Sequence, residues 1–196
     1  MKKVLVTGAT GYIGLHCVHQ LLEQGYAVRG TLRSQSRAQE VRDGLTATGV
    51  DIANLELVEA DLLEDDGWDD AATGMDYILH VASPFIVGVP KHEDDLIRPA
   101  VEGTERVLLA AIAKKVKKVV LTSSTAAIAK TFDGKESYTE DDWSSADHPE
   151  IDAYSKSKTL AERRAWEIIE AQIGTKQTKL TVINPAGVVG PTLTDD

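Results

Sequence analysis

VTGATGYIG, residues 6–14, decides the fold. It grows out of the short apolar run KKVLVT at residues 2–7. It leads into residues 13–24, where Leu15, Val18, Leu21 and Leu22 fall on related faces of a helix. A strand that turns through glycines directly into a helix is the opening of a nucleotide-binding fold. Gly8 lets the chain turn sharply off the strand. Gly11 lets backbone approach a pyrophosphate, and Gly14 lets the helix pack closely to the sheet. N–H groups at the helix start, here in the segment Thr10, Gly11, Tyr12, Ile13 and Gly14, then face the negative phosphates with the helix dipole behind them. The spacing is G-x-x-G-x-x-G rather than G-x-G-x-x-G, so the flanking strand and helix carry the reading. A tight turn without a ligand is the plainer alternative.

Working outward, strands are expected at residues 26–32, 55–59, 76–81, 118–123 and 179–184, and helices at 37–48, 94–115 and 152–171. Gly25 is a plausible stop for the first helix. The helix at 94–115 is expected to form despite Pro99. VLV, YILHV and VVL are continuously apolar, as strands covered by helices on both faces require. Long crossovers imply parallel strands with right-handed connections. The expectation is an α/β chain with a Rossmann-type doubly wound parallel sheet, one domain over residues 1–196. Residues 131–150 are polar and acidic between a strand and its helix. A functional lid and a plain surface excursion both fit so long a loop, and Trp143 can anchor it under either.

The chain carries 21 Lys and Arg against 31 Asp and Glu, a formal charge of -10. Such a surface disfavours nucleic acid and anionic membrane as partners, and no basic run is interleaved with aromatics. One cysteine, Cys17, rules out an intrachain disulfide and multi-cysteine zinc. It fits a reducing, cytoplasmic compartment. The opening residues read as a strand rather than a signal peptide, and no apolar run has the length of a membrane span. His16 and His19 share a helix face without a carboxylate to complete a metal set, and Asp65, Asp66, Asp69 and Asp70 read as a solvated turn. His80, inside an apolar strand, reads as a core or supporting histidine.

Two further stretches carry chemistry. Past the second strand the chain reads VRGTLRSQSR, with no acid where an NAD enzyme holds the ribose hydroxyls. Arginine there favours a 2'-phosphate and hence NADP. Arg33 is the first choice, with Ser34 and Arg37 as helpers, although Arg37 also fits as a solvated helix charge. The second stretch is YSKSK, residues 154–158. Tyr154 and Lys158 lie four apart on one helix face, so both can reach one cleft. A nearby ammonium favours phenolate and makes tyrosine a workable proton donor near neutral pH. Ser123 and Ser124 close the fifth strand at the sheet edge where ligands bind, and one hydroxyl can bond the oxygen of a reacting carbonyl. A turn cap is the plainer reading of SST.

Taken together, TGATGYIG, VRGTLR, ADLLEDDGW, HVASPF, PAVEGTERVLLAA, VVLTSSTAAI, YSKSKTLAE and TVINPAGVVGP make the chain resemble an extended short-chain dehydrogenase/reductase. The pattern is similar to the dihydroflavonol reductase and cinnamoyl-CoA reductase group. The resemblance implies Ser124, Tyr154 and Lys158 as catalytic residues, Asp61 and Leu62 at the adenine, and Val81, Ala82 and Ser83 along the cofactor path. It implies Pro185 and Val188 beside the nicotinamide, with Asn184 nearby. Many relatives carry a helical asparagine where this chain has Ala100, and the reductase subgroup commonly lacks it. The implied activity is NADPH-dependent reduction of an aldehyde or ketone; a nucleotide-sugar epimerase or dehydratase and a non-catalytic NADP-sensing protein are the alternatives. The substrate implied is a small, partly apolar carbonyl compound, bordered by Phe85, Ile86, Val87 and residues 126–132. A homodimer is compatible with the resemblance. Family members continue past the point where this sequence ends, so it is expected to be the N-terminal part of a longer enzyme, short of the substrate segment.

Overall fold

The computed structural model describes residues 1–84, 90–175 and 177–194. Six strands form one parallel sheet: β1 (Lys3–Thr7), β2 (Ala27–Leu32), β3 (Leu55–Glu59), β4 (Tyr77–His80), β5 (Lys118–Thr122) and β6 (Lys179–Ile183). Their spatial order is β3-β2-β1-β4-β5-β6. The order reverses between β1 and β4, which pair through Val4–Tyr77 to Thr7–His80. At such a reversal the crossovers leave in opposite directions and a crevice opens outside the strands' carboxyl ends.

Two apolar clusters flank the sheet. Val4, Val6, Val28 and Leu32 pack against Leu15, Val18 and Leu22 of α1 (Tyr12–Glu23) and Val41 and Leu45 of α2 (Ala38–Ala47). On the other face Leu5, Ile78, Val119 and Leu121 meet α3 (Trp68–Ala72), α4 (Asp94–Ala113) and α5 (Ala153–Glu170). Alternate residues of one strand thus bury on opposite faces, as a sheet sandwiched between helices requires. The doubly wound expectation holds.

The differences are local. No element was expected between β3 and β4, yet α3 forms there because Trp68, Ala71 and Ala72 bury against α4. Asp65, Asp66, Asp69 and Asp70 stay exposed, as a solvated turn requires, with Asp65 pairing with Arg106 and Asp69 with Lys114 at the surface. The helix expected from residue 37 starts at Ala38, after a 3-10 turn (Gln35–Arg37) in which the Ser34 hydroxyl accepts from the Ser36 N–H. β5 ends at Thr122, one residue short, because the chain turns into a 3-10 turn (Thr125–Ala127) capped by Ser124. Pro99 lies in the second turn of α4, where it cannot donate to the Asp95 carbonyl, and the helix nevertheless continues to Ala113. Gly25 stops α1 with φ +79°, its N–H donating to the Leu22 carbonyl. Among the described residues no helix is long and apolar enough to cross a membrane.

Candidate active site

Past β1, Gly8 takes φ +70°, a conformation side chains with a Cβ rarely adopt. Its N–H donates to Thr31 Oγ1 on β2 at 3.0 Å, and the Gly11 N–H returns to the Gly8 carbonyl at 3.0 Å. A Cβ on Gly14 would stand 2.1 Å from that same carbonyl oxygen. Gly14 therefore lets α1 sit on the turn itself, rather than on the strands as its spacing suggested. Gly11 differs. A Cβ there would meet only the Gly8 oxygen, at an ordinary 3.4 Å. Among the described residues the chain's own packing does not demand glycine at position 11. Gly11 is the N-cap of α1 with no side-chain cap bond. The N–H groups of Tyr12, Ile13 and Gly14 consequently have no partner within the helix and, beside Thr10, line an anion cradle.

β4 supplies the opposite wall. The N–H groups of Val81 and Ala82 both donate to Thr7 Oγ1, at 3.0 and 2.9 Å. That hydroxyl has two lone pairs, now used, so its proton goes to His80 Nδ1, 2.8 Å away. A histidine that accepts at Nδ1 is neutral and carries its proton on Nε2, which faces Thr104 Oγ1 at 3.5 Å. Burial pushes His80 from its ordinary 6.5 to about 3, with the Lys158 charge acting in the same direction. His80 is thus the supporting residue expected: through Thr7 it fixes where Val81 and Ala82 stand, with Ser83 next along.

Arg33 stands exposed directly after β2 and forms no ion pair among the described residues. The proposed helpers are engaged elsewhere. Ser34 Oγ accepts from the Ser36 N–H, and Arg37 meets both oxygens of Glu40 at 2.9 and 2.7 Å. Asp61 Oδ1 accepts from the Leu63 N–H, and the Asp61 carbonyl accepts from Trp68 Nε1. Leu62 packs over Gly103, where a Cβ would meet it at 2.7 Å.

The helix α5 opens on Asp152, whose Oδ1 accepts from the Ser155 N–H and whose Oδ2 accepts from the Ser155 hydroxyl. Burial alone would raise this carboxyl; the Ser155 bonds outweigh it and hold the group below its ordinary range. The cap fixes the first turn, and so the placement of Tyr154. One turn on, Lys158 Nζ lies 5.8 Å from the centre of the Tyr154 ring. Lys158 is 7% exposed. Burial pulls it down to about 8, against the opposing pull of Glu162.

Ser124 sits on the neighbouring turn, its Oγ accepting from the Ala126 N–H at 3.1 Å. The cap reading and the active-site reading thus share one hydroxyl. Ser123 Oγ is buried with no hydrogen-bond partner among the described residues. The end of β6 runs alongside. Thr125 N–H donates to the Pro185 carbonyl at 3.0 Å, and Asn184 Nδ2 donates to the Ser124 carbonyl at 3.1 Å. Val188, further on, is half exposed. Ala100 is buried in α4. Of the residues expected at the substrate, Phe85, Ile86 and Val87 lie outside those described.

The loop at residues 131–150 is tied down at Ser144, which is fully buried. Ser144 Oγ donates to the Ala126 carbonyl at 2.8 Å and accepts from the Lys130 N–H. Trp143 anchors it, with the Arg163 guanidinium of α5 5.2 Å over the indole. Phe132 stacks on His148 at 3.8 Å.

Sequence reasoning missed Thr7, Thr104 and Glu162. Thr7 and Thr104 left no signal, because their role depends on strands and helices far apart in sequence. Glu162 did leave one: it falls four residues after Lys158, on the face already assigned to the cleft.

A glycine turn at the β1–β4 reversal, with a tyrosine and lysine on the helix after β5, defines a class of nucleotide-dependent enzyme fold. The chain belongs to the NAD dependent epimerase/dehydratase family, whose model matches residues 4–196. Within it the chain falls in the extended short-chain dehydrogenase/reductase group that includes the dihydroflavonol reductases. It is 38% identical over 210 residues to the Saccharomyces cerevisiae oxidoreductase YGL039W, covering 98% of this chain and 59% of that one. It is 36% identical over 200 residues to ketoreductase azaE of Aspergillus niger, covering 97% and 58%. The fold matches yeast methylglyoxal/isovaleraldehyde reductase Gre2 complexed with NADPH, with TM-score 0.83, 33% identity and coverage of 98% and 60%. The chain thus spans about 60% of the length of these proteins.

Proposed function

We propose that the full-length protein reduces a small, partly apolar aldehyde or ketone to an alcohol with NADPH, using Ser124, Tyr154 and Lys158. The observation that carries this reading is the buried Lys158 ammonium 5.8 Å from the Tyr154 ring, beside a Ser124 turn bonded to β6. Four neighbouring features fit the cofactor. The N–H groups at the start of α1 suit the pyrophosphate, and Gly11 leaves room for it. Arg33, without an acidic partner among the described residues, suits the 2'-phosphate. Asp61 and Leu62 stand for the adenine side, and Val81, Ala82, Ser83, Pro185 and Val188 for the path to the nicotinamide. Buried Ser123 Oγ leaves a hydroxyl for a polar group of a ligand or a water. The likeness to NADPH-bound Gre2 supports the same assignment.

When bound, NADPH supplies the hydride. The protein's share is positional and protonic. Ser124 Oγ donates to the substrate carbonyl oxygen, a bond that strengthens as negative charge gathers there. The Tyr154 hydroxyl gives that oxygen its proton. Lys158, charged below pH 8, stabilises the phenolate left behind. A cytoplasmic location, with Cys17 kept reduced, and assembly as a homodimer belong to the same reading.

Two variants test it. Tyr154→Phe in the full-length protein should lower kcat by about 10²- to 10⁴-fold while NADPH still binds. Retained turnover would refute the acid role. Arg33→Ala should erode the preference for NADPH over NADH by on the order of 10- to 100-fold. A wild-type preference for NADH would overturn the choice of NADP. Conversion of a nucleotide-sugar with no net loss of reduced cofactor would replace the reductase by an epimerase.

A further inference from the structure

We propose that Glu162 and Asn184 act as a positioning pair: the Glu162 carboxylate is the counter-charge of Lys158, and the Asn184 amide ties that carboxylate to the Ser124 backbone. The inference rests on the reductase reading above. Glu162 lies one turn after Lys158 on the same face of α5, only 5% exposed. Besides Lys158, the other buried residues of α5 are Ala161, Ala165 and Ile168 and the neutral hydroxyl residues Ser155, Ser157 and Thr159, so Glu162 is the one acid among them. A carboxylate costs more to bury there than an apolar side chain, so its presence calls for a task. Asn184 Nδ2 donates to Glu162 Oε2 at 2.8 Å and to the Ser124 carbonyl at 3.1 Å. Both partners are acceptors, which requires the amide nitrogen, not its oxygen, on this side. One amide thereby joins the end of β6, the turn that carries Ser124 and the helix that carries Tyr154 and Lys158.

The charges around Lys158 make Glu162 the balancing one. Tyr154 lies one turn before it on α5. On β4, His80 is an imidazole kept neutral by burial, its Nδ1 accepting from the Thr7 hydroxyl. Within four residues of Lys158 on α5, Glu162 is the acid, placed one turn on along the same face. The pair therefore has two separable duties. The carboxylate keeps Lys158 cationic near neutral pH, and the amide keeps the serine turn in register with the catalytic helix.

Glu162→Gln retains an acceptor for Asn184 and deletes the charge. In the full-length protein the titration of Lys158, read by mass spectrometry of its amine modification against pH, should then fall by about one pH unit. The alkaline limb of kcat/KM should move with it. An unmoved Lys158 titration would overturn the counter-charge. Asn184→Ala cuts the tether and keeps the charge. It should lower kcat about tenfold and speed amide exchange over residues 124–127, with Lys158 still titrating where it did. Wild-type kcat and exchange would overturn the tether. If Glu162→Gln does not fold, Glu162→Asp must keep Lys158 at its original titration, and a fall there would count against the pair. Absence of carbonyl turnover in the wild type would sink the reductase reading alone, since the labelling and exchange results report on the pair without it.

Discussion

A single absent Cβ sets the geometry of the glycine turn after β1. Gly14 faces the Gly8 carbonyl so closely that any side chain would stand 2.1 Å from it. The oxygen belongs to backbone fixed by Gly8's own positive φ and by the bond to Thr31, so it cannot swing aside. Gly14→Ala should cost about 1–3 kcal/mol of stability. Thermal unfolding would show it as a fall of roughly 2–4 °C per kcal/mol. Gly11→Ala should leave stability nearly unchanged and weaken NADPH binding, because its Cβ meets only an ordinary contact in the protein. Equal stability losses at the two positions would contradict this division of labour, and calorimetry with a cofactor titration reads both. The glycine spacing was legible in the sequence. That packing demands glycine at position 14 and not at position 11 was not, since that depends on where the Gly8 oxygen points.

At the scale of the element, α5 places the chemistry by how it begins. Asp152 accepts two hydrogen bonds from Ser155, and Tyr154 falls between the cap and its partner. Asp152→Ala should cost about 1 kcal/mol and lower kcat more than it lowers cofactor affinity. Asp152→Asn, which keeps a capping acceptor, should recover most of both; failure to do so would mean the cap is not what holds Tyr154. The helix itself was legible from its pattern, and its start was placed within one residue. α3 was not, because five residues carry too little periodicity to announce a helix. Its Trp68 and Ala72 form one only because α4 lies opposite to bury them.

Across the whole molecule, Thr7 of β1, His80 of β4 and Thr104 of α4 tie strands and helix together through one buried imidazole. His80 has a folded-state pKa of about 3 against an ordinary 6.5. The folded chain therefore binds fewer protons than the unfolded chain between those values. The contribution is fully present above pH 6.5 and is lost as pH falls toward 3. The full shift corresponds to roughly 5 kcal/mol. Denaturant unfolding between pH 7 and pH 4 should show stability falling with acid, and His80→Gln should flatten that slope. Parallel slopes in wild type and variant would show that His80 titrates normally.

The sequence by itself determined the doubly wound sheet, because continuous apolar strands, helical periodicity and glycine spacing are local properties that any short window carries. It also determined the Tyr154–Lys158 face, since four residues on a helix always return to one side. Only the tertiary structure decided that Asn184 would reach both Ser124 and Glu162, and that Thr7 would meet Nδ1 of a buried His80. Those contacts join residues 22 to 73 positions apart. Their existence depends on strand order and register, which no single stretch of chain encodes.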